Sequence, residues 1–178
     1  MFWKNQVSLA DVKGSSYGPT ILAQLTEERA RKTSLEARGI GIVTSSGALA
    51  TLLFGLAAFT RGTFNQLHIP ITGAGKWALI TAALLFAAAA VSGVLSNAPL
   101  PYEEALIPPL RSRVEETEWT APDPIGAARR DARLNVDILE SARKWNRVKA
   151  YLVLAGIVLE ALAAIAVSVA VFSELAGL

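Results

Sequence analysis

The sequence predicts an all-α membrane protein: three transmembrane helices, with a cytoplasmic helical segment between the second and the third. Three observations predict it. Charged residues make up only 18% of the 178-residue chain, against roughly 25% in an average soluble domain. Those that remain are segregated: stretches 39–60, 77–102 and 150–173 hold a single charged side chain among them, Glu160. Lysine and arginine are also lopsided, with 15 in the N-terminal region and segment 97–149, and 2, Arg61 and Lys76, at the loop between them. This pattern excludes an ordinary water-soluble globule and a disordered chain. The absence of cysteine excludes disulfides, thiolate zinc sites and cysteine catalysis.

Residues 1–38 come first, as a cytoplasmic tail and a juxtamembrane helix. Gly14, Ser15, Ser16, Gly18 and Pro19 make 1–19 read as a loose tail. A helix is expected over 20–38, where Glu27–Arg31 and Glu28–Lys32 are i,i+4 pairs with the acid first. It should bend at Gly39 and Gly41 as it feeds the first span. That span, 39–60, is 22 residues long, about 33 Å as a helix and enough for a hydrocarbon core of about 30 Å. A signal peptide fits it poorly, because 38 residues carrying ten charges precede it. An outer loop, 61–76, leads to the second span at 77–96, and the third follows at 150–173. The tail 174–178 is outside. The excess of lysine and arginine fixes the direction, with the N-terminus and segment 97–149 in the cytoplasm. Three crossings put the two termini on opposite sides, in agreement with the charge count.

Segment 97–149 divides in two. Prolines at 99, 101, 108, 109 and 122 limit the first part to short helices, at 102–107 and 110–118. Asp123-Pro124 is a helix start, aspartate as N-cap and proline at the first helical position. One helix is expected from about 124, running directly into the third span, with Ala128, Leu134, Ile138, Ala142 and Trp145 on one face. Residues 100–124 carry a net charge of −4 and residues 125–149 a net charge of +4, so the two parts can cancel each other. Alternatively Arg143, Lys144, Arg147 and Lys149 form a cluster facing anionic lipid headgroups. Nucleic acid is not an expected partner, because no aromatic platform accompanies the basic residues.

Inside the membrane Glu160 is the residue to explain. It lies 11 residues past Lys149, and an ionised acid at mid-bilayer costs about 2.5–3.5 kcal/mol. A neutral, hydrogen-bonding glutamate tying helices together is expected, or else a proton- or cation-responsive group. Gly156, Glu160, Ala164 and Ser168 recur every four residues, as do Gly47, Thr51 and Gly55 on the first span. Small residues in such rows let helices approach closely. The Thr44-Ser45-Ser46 cluster adds hydroxyls that can bond back to the helix or across it, and Thr51, at Glu160's depth, is the expected partner of that residue.

Other motifs carry no chemistry. Gly73-Ala74-Gly75-Lys76 ends like a phosphate-binding loop, but Pro70 and Trp77 stand where the motif needs glycine and a hydroxyl. One histidine, His68, and no cysteine make neither a zinc site nor a catalytic triad. Glu103-Glu104 and Glu115-Glu116 are adjacent and read as solvated. No enzyme activity, metal or cofactor is expected.

The stretch KTSLEARGIGIVTSSGALATLLFGLAAF at 32–59 resembles the first-span region of small actinobacterial integral membrane proteins. More loosely it is similar to the membrane effectors of bacterial anti-phage systems of the Pycsar type and the SLATT group. LESARKWNRVKAYLVLAGIVLEALA at 139–163 resembles their helix entering a final span. The resemblance covers about a third of the chain and marks Lys32, Ser34, Asn146 and Lys149 without assigning them roles. It implies membrane perforation or disruption after a nucleotide signal, although the chain shows no separate sensor domain. The expected function is therefore a self-associating, pore-type membrane effector of a bacterial defence system. The alternatives are a membrane adaptor docking a soluble partner through its cytoplasmic helices, and a small channel or transporter subunit. The expected partners are the lipid bilayer, further copies of the chain and a soluble cytoplasmic protein. The expected location is the cell membrane, multi-pass.

Overall fold

The computed structural model describes residues 9–67, 73–99 and 124–176, with side chains described over 17–55, 58, 73, 75–99, 126 and 128–173. His68, the expected short helices at 102–107 and 110–118, and both adjacent glutamate pairs lie outside the described residues. What is described is helical. Helix α1 spans Leu9–Leu67, α2 spans Gly73–Asn97 and α3 spans Pro124–Ala176. Each contains a stretch long and apolar enough to cross a membrane. The chain thus has the helices of a multi-pass membrane protein.

Two helices are longer than their spans. Helix α1 has 59 residues and α3 has 53, so each is roughly 80–90 Å long at about 1.5 Å per residue. The helix starting at Pro124 runs without a break into the expected third span, as its proline-free sequence requires. Residues 124–149 are therefore the first half of α3 and not a separate segment. Helix α2 stops where the sequence says it must: Ala98 closes a last turn onto the Leu95 carbonyl at 3.2 Å, and Pro99 follows.

Two boundaries differ from the sequence reading. Residues 9–19 are helical and not a loose tail, with Pro19 inside α1. A proline removes one backbone bond, and a helix continuous on both sides outweighs that local preference. Helix α1 runs through Gly39 and Gly41 into the first apolar stretch, as expected of a helix feeding a span. The expected loop 61–76 is largely helix, since α1 runs to Leu67 and α2 begins at Gly73. No proline interrupts the chain between Arg61 and Leu67, and Pro70 is the first breaker.

The chain divides into two compact units, Met1–Thr33 with Leu100–Arg147, and Ser34–Pro99 with Val148–Leu178. The second unit holds the apolar parts of all three helices. Its buried positions are Leu35, Gly39, Ile42 and Ser46 on α1. On α2 they include Ala82, Phe86, Ala89, Gly93 and Ser96, and on α3 Lys149, Val153, Gly156, Ala163 and Ala170. These sets follow alternating steps of three and four, with the half-buried Glu160 and Val167 completing the α3 series. That is the heptad spacing by which helices wrap around one another in a left-handed sense. Leu35, Ile42, Ala89 and Val153 form the central cluster, with Ala150 and Leu159 packed against it.

Glycine permits the closest approaches. A Cβ on Gly93 would lie 2.7 Å from the Gly39 carbonyl oxygen and 2.8 Å from Val43 Cγ2. A Cβ on Gly156 would lie 3.0 Å from Ile42 Cδ1. Outside this seam the helices show large apolar side chains: Leu52, Phe54, Leu84, Ile165 and Phe172 are all exposed. Water would penalise so extended an apolar surface, and hydrocarbon would not.

Candidate functional site

The polar groups of the second unit gather on its buried seam. Glu160 on α3 is half-buried and turned toward α1, where Ser45 and Ser46 both donate to its Oε1. The Ser46 bond is 3.1 Å. Ser45 Oγ lies also 2.9 Å from the Gly41 carbonyl oxygen and 3.2 Å from that of Ile42. A serine within a helix reaches these carbonyls readily. Nearer the charged ends of the helices, Lys149 is fully enclosed and its Nζ lies 2.5 Å from Glu36 Oε1. Between α2 and α3, Ser92 Oγ donates to the Leu152 carbonyl at 2.7 Å.

Thr51 is not the partner of Glu160. Its hydroxyl donates back to the Gly47 carbonyl at 2.8 Å, and its side chain is exposed. The reason is angular. Thr51 lies five residues past Ser46, about 140° around the helix, so the two cannot face the same neighbour. The row Gly156, Glu160, Ala164, Ser168 fails as one face for a related reason. A four-residue step advances about 40° on a helix of 3.6 residues per turn. Gly156 is buried and Glu160 half-buried, but Ala164 is exposed, and Ser168 turns back to the Ala164 carbonyl. The seam continues through Ala163 and Ala170 instead. Gly47 and Gly55 are exposed, with no atom within 4 Å of a Cβ placed on either.

In the first unit Asn146 on α3 is the buried polar anchor. Its Nδ2 donates to the Glu28 carbonyl and to Glu28 Oε2, each at 2.9 Å. Arg143 adds an ion pair to Glu28 at 3.5 Å and a bond to Gln24 at 3.1 Å. Glu28 thus turns to α3, with Arg31 at 4.0 Å on its own helix. The four basic residues expected to face lipid are not equivalent. Lys149 is enclosed and paired with Glu36, and Arg143 is committed to Glu28. Lys144 and Arg147 are exposed, the former with its ammonium 5.6 Å from the centre of the Trp145 ring.

Sequence reading missed Glu36 and Leu139, the former visible as an acid next to the heptad position Leu35. The Thr44-Ser45-Ser46 hydroxyls are legible as groups able to bond back to the helix or across it, but the expected partner of Glu160 is Thr51; Ser45 bonds both ways and Ser46 across. Asn146 came forward only through the family resemblance and Lys149 also as one of the basic cluster expected to face lipid, and the structure gives both a buried position. An apolar groove of about 260 Å³ lies in the second unit, lined by Leu49, Leu52, Leu53, Phe86, Ala164 and Val167. Among the described residues no three histidine, cysteine or acidic side chains come together to hold a metal ion.

Comparison with protein-family models, with curated proteins and with solved structures found no match.

Proposed function

We propose that the chain is a non-enzymatic, multi-pass protein of a bacterial cell membrane that acts by assembling with further copies of itself and perturbing the bilayer. One observation carries the reading. The bundle fills its own seam and leaves the Gly47–Thr51–Gly55 face of α1 bare, with open space over both glycines. In lipid, a bare small-residue face is where a second helix gains most from close packing. The resemblance to anti-phage membrane effectors points the same way and gives the assembly a defence role.

The test joins two measurements. Crosslinking in native membranes should trap dimers or larger assemblies, and Gly47→Leu with Gly55→Leu should reduce them. Purified protein in liposomes should release a trapped dye or ion, and the same double variant should not. A chain that remains monomeric in membranes, with tight liposomes, overturns the reading.

A second reading has an observation of its own. Helices α1 and α3 are far longer than a hydrocarbon core, and the charged part of α3 is tied to α1 through Asn146 and Glu28. Such a helix pair, cytoplasmic by the lysine and arginine count, suits an adaptor that docks a soluble partner. Capture of one specific protein from cytoplasmic extract, without any leak, favours this reading over the first.

A further inference from the structure

We propose that Glu160, Ser45 and Ser46 form a binding site for one small monovalent cation, a proton or a sodium ion, within the apolar part of the bundle. The inference rests on reading the three helices as membrane spans, and not on self-association.

The first argument is charge. Among the described residues no side chain that faces Glu160 can neutralise it. On α1 the stretch between Arg38 and Arg61 is uncharged, and the groups that meet Glu160 are the two serine hydroxyls. On α2 nothing is charged between Lys76 and the end of the helix at Asn97. On α3 the nearest base is Lys149, three turns away and held by Glu36. A carboxylate so placed in hydrocarbon is costly unless a cation joins it.

The second argument is the donor set. Ser45 Oγ touches Glu160 Oε1 and the carbonyl oxygens of Gly41 and Ile42, and Ser46 Oγ touches the same Glu160 oxygen. All are hard oxygen donors, the kind that bind a proton or a small alkali ion in preference to a soft metal. Two hydroxyl hydrogens serve four close oxygen–oxygen approaches. A serine hydroxyl donates one hydrogen, so when Ser45 gives its own to a backbone carbonyl, its approach to Glu160 is completed by a proton carried on the carboxyl. A sodium ion would be held by the same oxygens. Glu160 is only half-buried, so the site is open on one side to the lipid.

Dicyclohexylcarbodiimide tests this. It is an apolar reagent that enters membranes and modifies a carboxyl only while that carboxyl carries a proton. The full chain in liposomes is treated across a range of pH, in sodium or in choline chloride, and the labelled residue is located by mass spectrometry. Label on Glu160 that rises as pH falls and ignores sodium supports the proton. Label that sodium suppresses and choline does not supports the sodium ion. Glu160→Gln must lose the label. Replacing Ser45 and Ser46 together by alanine keeps the carboxyl but removes the other oxygens, so it should alter the pH or sodium dependence. Retained protein with no label at any pH, or a serine variant that behaves as the parent, overturns the site. A chain that does not partition into liposomes overturns the membrane reading first, and this site with it.

Discussion

Lys149 is fully enclosed, with Glu36 Oε1 2.5 Å away, and an ammonium in that position depends on the groups around it. Removing one member of a buried ion pair leaves a charge that has lost both water and counterion, at a cost of about 3–5 kcal/mol. Glu36 keeps 30% of its side chain exposed, so Glu36→Gln should destabilise the chain by about 3 kcal/mol at most. The measurement is thermal or denaturant unfolding in detergent micelles. Lys149→Met combined with Glu36→Gln removes both charges and should recover most of the loss. A double variant as unstable as the single one would mean that packing at Lys149, and not the pair, carries the energy. Asn146 is the comparable residue of the first unit. Its amide satisfies a carbonyl and a carboxylate oxygen of Glu28, so Asn146→Ala should cost about 1–3 kcal/mol. Asn146→Asp should cost more, because it sets an acid against Glu28, and an Asp variant of parental stability would refute the assignment.

The elements were legible where charge and proline speak, and less so where angle decides. Three uncharged runs announced three apolar helices, and Asp123-Pro124 announced the start of α3 at Pro124. Partners across the seam were not legible, because a four-residue row drifts around a helix while alternating steps of three and four stay on one side. That difference separates Thr51 from Ser46 and Ala164 from Ala163. It also sorts the glycines, and the sorting can be measured. Gly93 faces the Gly39 carbonyl and Val43 so closely that a methyl has no room, and Gly93→Ala should lower the melting temperature. Gly55 faces open space, and Gly55→Ala should leave the isolated bundle unchanged or stabilise it by about 0.5–1 kcal/mol, since alanine is the better helix former. Equal effects of the two substitutions would show that the seam is not where the 3,4 spacing places it.

The whole molecule poses a question of sides. If all three helices that are long and apolar enough to cross a membrane do cross it, the start of α1 and the end of α3 emerge on opposite faces. On the topology expected from lysine and arginine, 15 on one side and 2 on the other, the start of α1 and the first half of α3 would be cytoplasmic and the start of α2 outside. The chain has no cysteine, so single cysteines can be introduced without removing any. Tyr17, Gly73 and Arg133 are exposed and sample the three regions. In intact cells a membrane-impermeant maleimide should label Gly73→Cys, and should label Tyr17→Cys and Arg133→Cys only after lysis. Label on the latter two alone would invert the protein. Label on all three in intact cells, with the membrane shown to be sealed, would mean that α1 and α2 do not cross at all, and the exposed apolar side chains of the bundle would then need a protein partner to cover them instead of lipid.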